Sequence, residues 1–125
     1  MPIEHTTDEN GITHVSCEGT VTLDEMRMSY ARFIALRTGP PQYKLITDLT
    51  AVTDIDLSFR DVLQLLVFVQ TALRAPDVSM KIAIHAPRPR DRAIAKTFAS
   101  LARVDQRFSI TVHQDLRDAQ AAIGL

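Results

Sequence analysis

From Ile12 onward, short apolar stretches suited to strands alternate with longer stretches whose apolar residues recur every three or four positions. That alternation leaves few folds open. Parallel strands need connections of a dozen or more residues, and helices supply them. The segments read β-β-α-β-α-β-α-β-α. Ile3 to Thr7 reads as a short edge strand, and Asp8-Glu9-Asn10-Gly11 as a hairpin turn, since Asn-Gly is a strong turn signal. Ile12 to Cys17 returns antiparallel to it. Thr22 and Glu25 form a capping box before a helix through Leu23, Met26, Tyr30, Phe33 and Arg37, which Gly39-Pro40-Pro41 ends. Tyr43 to Leu49 is the third strand, and a polar turn follows it. The second helix runs from Ser58 to Arg74 and closes at Ala75-Pro76-Asp77. Met80 to His85 is the fourth strand, Asp91 to Arg103 the third helix, and Ser109 to His113 the last strand. Asp115 caps a final helix through Leu116, Ala119 and Ile123.

The strands themselves sharpen the architecture. In Lys81-Ile82-Ala83-Ile84-His85 only Ile82 and Ile84 are large and apolar; in Ser109-Ile110-Thr111-Val112-His113 only Ile110 and Val112 are. Strands covered on both faces read as continuous apolar runs. One face of this sheet is therefore expected to be open, with the crossover helices on the other. Lys81, His85, Ser109, Thr111 and His113 would point to the open side. The class is α/β, with a mostly parallel sheet, an antiparallel N-terminal hairpin strand and helices mainly on one face. At 125 residues the chain suits one domain, spanning 1–125.

Charge and cysteine content narrow the partners. With 14 basic and 15 acidic side chains the net charge is -1, which gives no general attraction to nucleic acid or anionic membrane. No segment approaches the ~18 apolar residues that span a bilayer. The start of the chain lacks the features of a secretory signal, and one cysteine, Cys17, cannot form an internal disulfide. A cytoplasmic protein is expected.

No phosphate-binding glycine loop, nucleophile elbow or metalloprotease motif is present, so neither catalysis nor a cofactor is expected. His85 and His113 end neighbouring strands but lack a third ligand, and no metal site is expected. Asp48, His85 and Arg88 form the one set at strand ends that suits a weak enzyme. Asp48, Asp54 and Asp56 suit a carboxylate cluster less well than a turn and a helix cap. Arg88, Arg90 and Arg92 surround the start of the third helix, where a small anion such as a phosphate or carboxylate is a candidate ligand. On the second helix Val62, Leu65, Leu66, Val69, Ala72 and Leu73 make the core face. Arg60, Asp61, Gln64, Thr71 and Arg74 make the wet face. Val67 and Phe68 fall within that wet arc and mark an interface.

The stretch from Val52 to Leu63 resembles the antagonist loop of the STAS domains, with its Asp-Ser-Ser/Thr-Gly pattern before an apolar helix. The tail from Phe108 to Ala119 resembles that family's last strand and closing Asp-x-x-x-Ala helix. The chain thus resembles the SpoIIAA-like proteins, including small stand-alone STAS/CRAL-TRIO-like members. The resemblance implies a right-handed β-α superhelix and a switch-like loop at Asp54, Asp56, Leu57, Ser58 and Phe59. In the antagonists the residue after the loop aspartate is the phosphorylated serine. Here it is Leu57, so no phosphoswitch is expected at that position, and Phe59 replaces the glycine. The expected function is a non-catalytic interaction module that binds a protein partner or forms a homodimer. Arg60, Gln64, Val67, Phe68 and Thr71 would make the contact. The alternative is a CRAL-TRIO-like carrier of a small apolar or lipid ligand.

Overall fold

The turn at Asn10-Gly11 sets the first pairing. The Asp8 carboxylate accepts hydrogen bonds from the backbone N–H groups of Asn10 (2.9 Å) and Ile12 (3.1 Å), and Gly11 takes the left-handed conformation (φ +79°) that closes the hairpin. A computed structural model describes residues 3–36, 42–73 and 78–125. Strand β1 (Ile3–Thr7) lies antiparallel to β2 (Ile12–Thr22), and α1 (Leu23–Leu36) leads to β3 (Gln42–Asp56). Then come α2 (Phe59–Ala72), β4 (Ser79–His85), α3 (Pro89–Ala102), β5 (Phe108–His113) and α4 (Leu116–Ile123). The sheet order is β1-β2-β3-β4-β5, and every pair after the first is parallel. The terminators expected after α1 (Arg37 and Gly39 to Pro41) and after α2 (Arg74 to Asp77) lie outside the described residues.

Helices α1, α2 and α3 share one face of the sheet. Tyr30 and Phe33, Val62, Leu65, Leu66 and Val69, and Ala95 and Phe98 join Val15, Leu45, Ile82 and Ile84 in one buried cluster. The other face is covered in part. Helix α4 lays Ala119 and Ile123 over Ile12, Ile46 and Ala83. Ser109 and Thr111 stay exposed on that side, as expected from the alternation, but His85 is buried (8 % exposed).

Two strands are longer than the sequence pattern suggests. β2 continues past Cys17 to Thr22, and β3 continues past Leu49 to Asp56, so the expected polar turn from Thr50 to Asp56 is a strand. The reason is irregular register. Asp48 pairs with Ser16 but Ala51 with Glu18, and Val52 pairs with Gly19 but Asp54 with Thr20. The extra β3 residues are absorbed as bulges, where Gly19 supplies a left-handed backbone (φ +69°). Leu49, Val52 and Ile55 are all buried at a spacing of three, which does not look like a strand in sequence. β4 pairs with β3 only as far as His85 opposite Asp48, so β3 residues 49–56 run on with β2 alone.

The start of α1 follows its sequence signal. Thr22 and Glu25 make the reciprocal box that starts α1, at 3.2 and 3.3 Å. Asp115 occupies the cap position of α4 without a side-chain cap bond. The last turn of α2 is closed from outside. Arg107 donates to the carbonyls of Leu73 and Gln70, while Asp105 holds its guanidinium at 2.8 Å. The hydrogen bond from Arg107 outweighs partial burial and holds the Asp105 carboxyl down at about 2, below the ordinary 3.8.

Arg107→Ala should therefore cost about 1–3 kcal/mol, the range for charge-assisted hydrogen bonds, read as a lowered midpoint in urea unfolding. Because the Asp105 pKa is depressed by folding, the pair's contribution is full above pH 3.8 and is lost as pH falls through about 2. The stability of wild type relative to Arg107→Ala should shrink over that interval, as a pH series of unfolding curves would show.

Candidate functional site: the outer face of the second helix

Between β3 and α2 stand only Leu57 and Ser58. Ser58 is the N-cap. Its Oγ accepts from the Asp61 backbone N–H at 3.1 Å, and the Asp61 carboxylate accepts from the Ser58 N–H at 3.0 Å. This box, with Asp61 at its third position, fixes where α2 starts and how it leaves the sheet. Asp56, expected to share the capping, is exposed at the end of β3 and forms no side-chain hydrogen bond among the described residues. Leu57 turns the other way, packs against the core and lines an apolar cavity.

Helix α2 divides its faces sharply. Val62, Leu65, Leu66 and Val69 are buried, and Leu73 just past the helix is buried with them. On the outside Phe59 (63 % exposed), Leu63 (37 %) and Val67 (55 %) form an apolar stripe at four-residue spacing. Thr71 continues it, its hydroxyl donating to the Val67 carbonyl at 2.8 Å. Phe68 differs from the sequence expectation: it is half-buried and packs against the core. Beside the stripe a groove of about 500 Å³ runs between α2 and α1, lined by Arg27, Arg60, Leu63, Gln64, Val67 and Phe68. Sequence reasoning missed Leu63 and Arg27. The repeat of Phe59, Leu63, Val67 and Thr71 could have revealed the first. Arg27 enters only through the packing of α1 on α2.

The three arginines around the start of α3 all meet groups of the chain itself. Arg88 grips the buried Asp91 carboxylate at 2.8 and 2.9 Å and reaches the Thr53 carbonyl at 3.3 Å. Arg90 meets Asp54 at 3.1 Å, in a charge contact short of hydrogen-bond geometry. Arg92 donates to the Ala86 and Pro87 carbonyls at 3.1 and 3.2 Å. Together Arg88 and Arg90 fasten the extended end of β3 to the start of α3.

Asp48, Asp54 and Asp56 do not form a cluster. Asp48 Oδ1 accepts from Thr50 Oγ1 at 2.6 Å and from the Thr50 N–H at 3.0 Å, and His85 Nδ1 stands 3.0 Å from the same oxygen. Partial burial works against this carboxylate, but the bonds from Thr50 and His85 outweigh it and hold its pKa below the usual value. His113, opposite His85 in the register, bonds instead to Thr111 at 2.8 Å. Among the described residues no three His, Cys, Asp or Glu side chains are placed to hold a metal ion. Arg88 is engaged with Asp91 and Thr53, and the Asp48–His85 pair stands without it.

Between the sheet and α1–α3 lies an apolar cavity of about 60 Å³, with Tyr30, Leu49, Leu57, Val62 and Phe98 among its walls. Burial raises the Tyr30 hydroxyl pKa and pushes the nearby Cys17 thiol up to about 12, so both stay neutral. No helix among the described residues is long and apolar enough to cross a membrane.

No family model and no curated protein matches the chain at the level of sequence. Solved structures do match in shape. The anti-sigma factor antagonist SpoIIAA, in its unphosphorylated form, superposes with a TM-score of 0.54 at 9% identity, covering 95% of this chain and 94% of SpoIIAA. An uncharacterized DUF3478-family protein from Shewanella loihica PV-4, described as having a SpoIIAA-like fold, superposes with a TM-score of 0.56 at 13% identity, covering 97% of this chain and 91% of the other. The five-stranded mixed sheet, with its antiparallel first strand and helical crossovers, has the SpoIIAA-like fold.

Proposed function

We propose that the protein is a non-catalytic, STAS-like interaction module that docks a protein through the outer face of α2 and the turn before it. The carrying observation is the stripe of Phe59, Leu63 and Val67, three large apolar side chains exposed on one helix beside an open groove. Contiguous apolar surface of this kind marks an interaction site. The fold likeness to an anti-sigma factor antagonist supports a partner-binding role. The docking is constitutive: Leu57 has no hydroxyl to phosphorylate, and Ser58 Oγ is engaged as the helix cap. A second copy of the chain is one partner the stripe would accept. Across a twofold axis, antiparallel α2 helices would set Leu63 of each copy near Val67 of the other.

Val67→Glu tests this without disturbing the core, since an exposed substitution of this kind moves stability by no more than about 0.5 kcal/mol. Light scattering at high concentration should give a dimer for wild type and a monomer for the variant. A wild-type monomer that binds no partner, or a variant of unchanged mass, would count against the reading. Phe68→Glu is the poorer test, because Phe68 is packed on the core and its loss would also lower stability.

One observation favours a second reading, a carrier of a small apolar ligand: the cavity behind Leu57. At about 60 Å³ it is well below the ~150 Å³ apolar cavity that takes benzene, so only a compact group would enter without expansion. Native mass spectrometry of the purified protein should then show a co-purifying apolar adduct that Leu57→Trp removes. A clean wild-type spectrum would argue for the interaction module alone.

A further inference from the structure

We infer that the α1–α2 groove receives an acidic, amphipathic helix of a partner protein. The inference rests on the reading of α2 as the docking face and names the chemistry of what docks there. The first argument is shape. On α2 the groove's lining runs from Arg60 to Phe68, about 12 Å or two helical turns at ~1.5 Å per residue, and α1 contributes Arg27. Its floor is apolar, formed by Leu63, Val67 and Phe68. An extended segment laid on such a floor would leave backbone polar groups unpaired, whereas a helix satisfies its own.

The second argument is charge. Arg27 and Arg60 both line the groove. Arg27 Nε is buried without a hydrogen-bond acceptor, and among the described residues the only anion touching this side chain is the exposed Asp24, 3.3 Å from Nη2. Arg60 forms no ion pair among the described residues. Of the other acids on this face, Asp61 is spent in the Ser58 capping box, and Asp56 is exposed beyond the start of α2. The exposed Arg60 can meet an incoming carboxylate in the geometry arginine favours, and Arg27 adds positive charge to the same groove. A second copy answers the stripe but not the arginines. In the antiparallel arrangement it brings up the C-terminal half of α2, which carries no acid among the described residues.

The test is a displayed library of amphipathic helical peptides selected on the full chain. Enriched sequences should carry Asp or Glu at helical spacing beside Leu, Ile or Phe. Arg27→Glu/Arg60→Glu should bind them about tenfold or more weakly, the cost of reversing charge pairs at an interface, and added salt should weaken wild-type binding. Arg60→Gln, fully at the surface, gives the same direction if the double variant unfolds. Neutral or basic winners, or equal binding by wild type and variants, would overturn the acidic partner. Such winners, if Val67→Glu still abolished their binding, would leave α2 standing as the docking face. An unproductive selection on wild type would overturn both.

Discussion

Neighbouring strands that follow one another in the chain, joined by right-handed crossovers, leave their helices no choice of side. The order β1-β2-β3-β4-β5 has no reversal after the hairpin, so α1, α2 and α3 must all fall on one face. The rest depends on that constraint. It brings α1 alongside α2 to frame the groove. It closes the apolar cavity beneath the same helices. It leaves the opposite face to α4 alone, where two small contacts, Ala119 and Ile123 on Ile12, Ile46 and Ala83, serve in place of a second layer.

The arginines divide along the same line. Arg88, Arg92 and Arg107 are spent on the protein's own carbonyls and carboxylates, closing loops and helix ends. Arg60 is left exposed without an ion pair among the described residues, and the half-buried Arg27, held by Asp24, lines the same groove beside apolar side chains. A clustering of basic residues in the sequence around α3 pointed to an anion. In the fold Arg88 pairs with Asp91, Arg90 lies beside Asp54 and Arg92 holds two carbonyls, while the less conspicuous Arg27 and Arg60 line the α2 groove.

Much of the architecture was legible because it rests on periodicity. The strict alternation of elements after the hairpin, the exposed Ser109 and Thr111 of β5 and the Thr22–Glu25 box all appear in the structure where the sequence pattern places them. What was hidden depends on register or on packing between distant segments. The second half of β3 could not be read because two bulges break its alternation. His85 looked like a solvated strand end, but its partner Asp48 is 37 residues away in the chain. The sequence placed Phe68 on the wet arc from the angle of an isolated helix; the neighbouring helices decide its burial. At the site, Arg60, Gln64, Val67 and Thr71 were legible from helical spacing, whereas Arg27 required the tertiary contact.

The overrun of β3 beyond β4 has a consequence for how the protein stays out of aggregates. A strand with no neighbour on one side is a template for another chain's backbone. Here residues 49–56 form such an edge, and three features blunt it. The bulges throw the hydrogen-bonding groups out of line, Arg88 occupies the Thr53 carbonyl, and Asp54 and Arg90 set charges along the rim. The irregularities that obscured this strand in the sequence are thus the same ones that make its exposed edge a poor place for another strand to add.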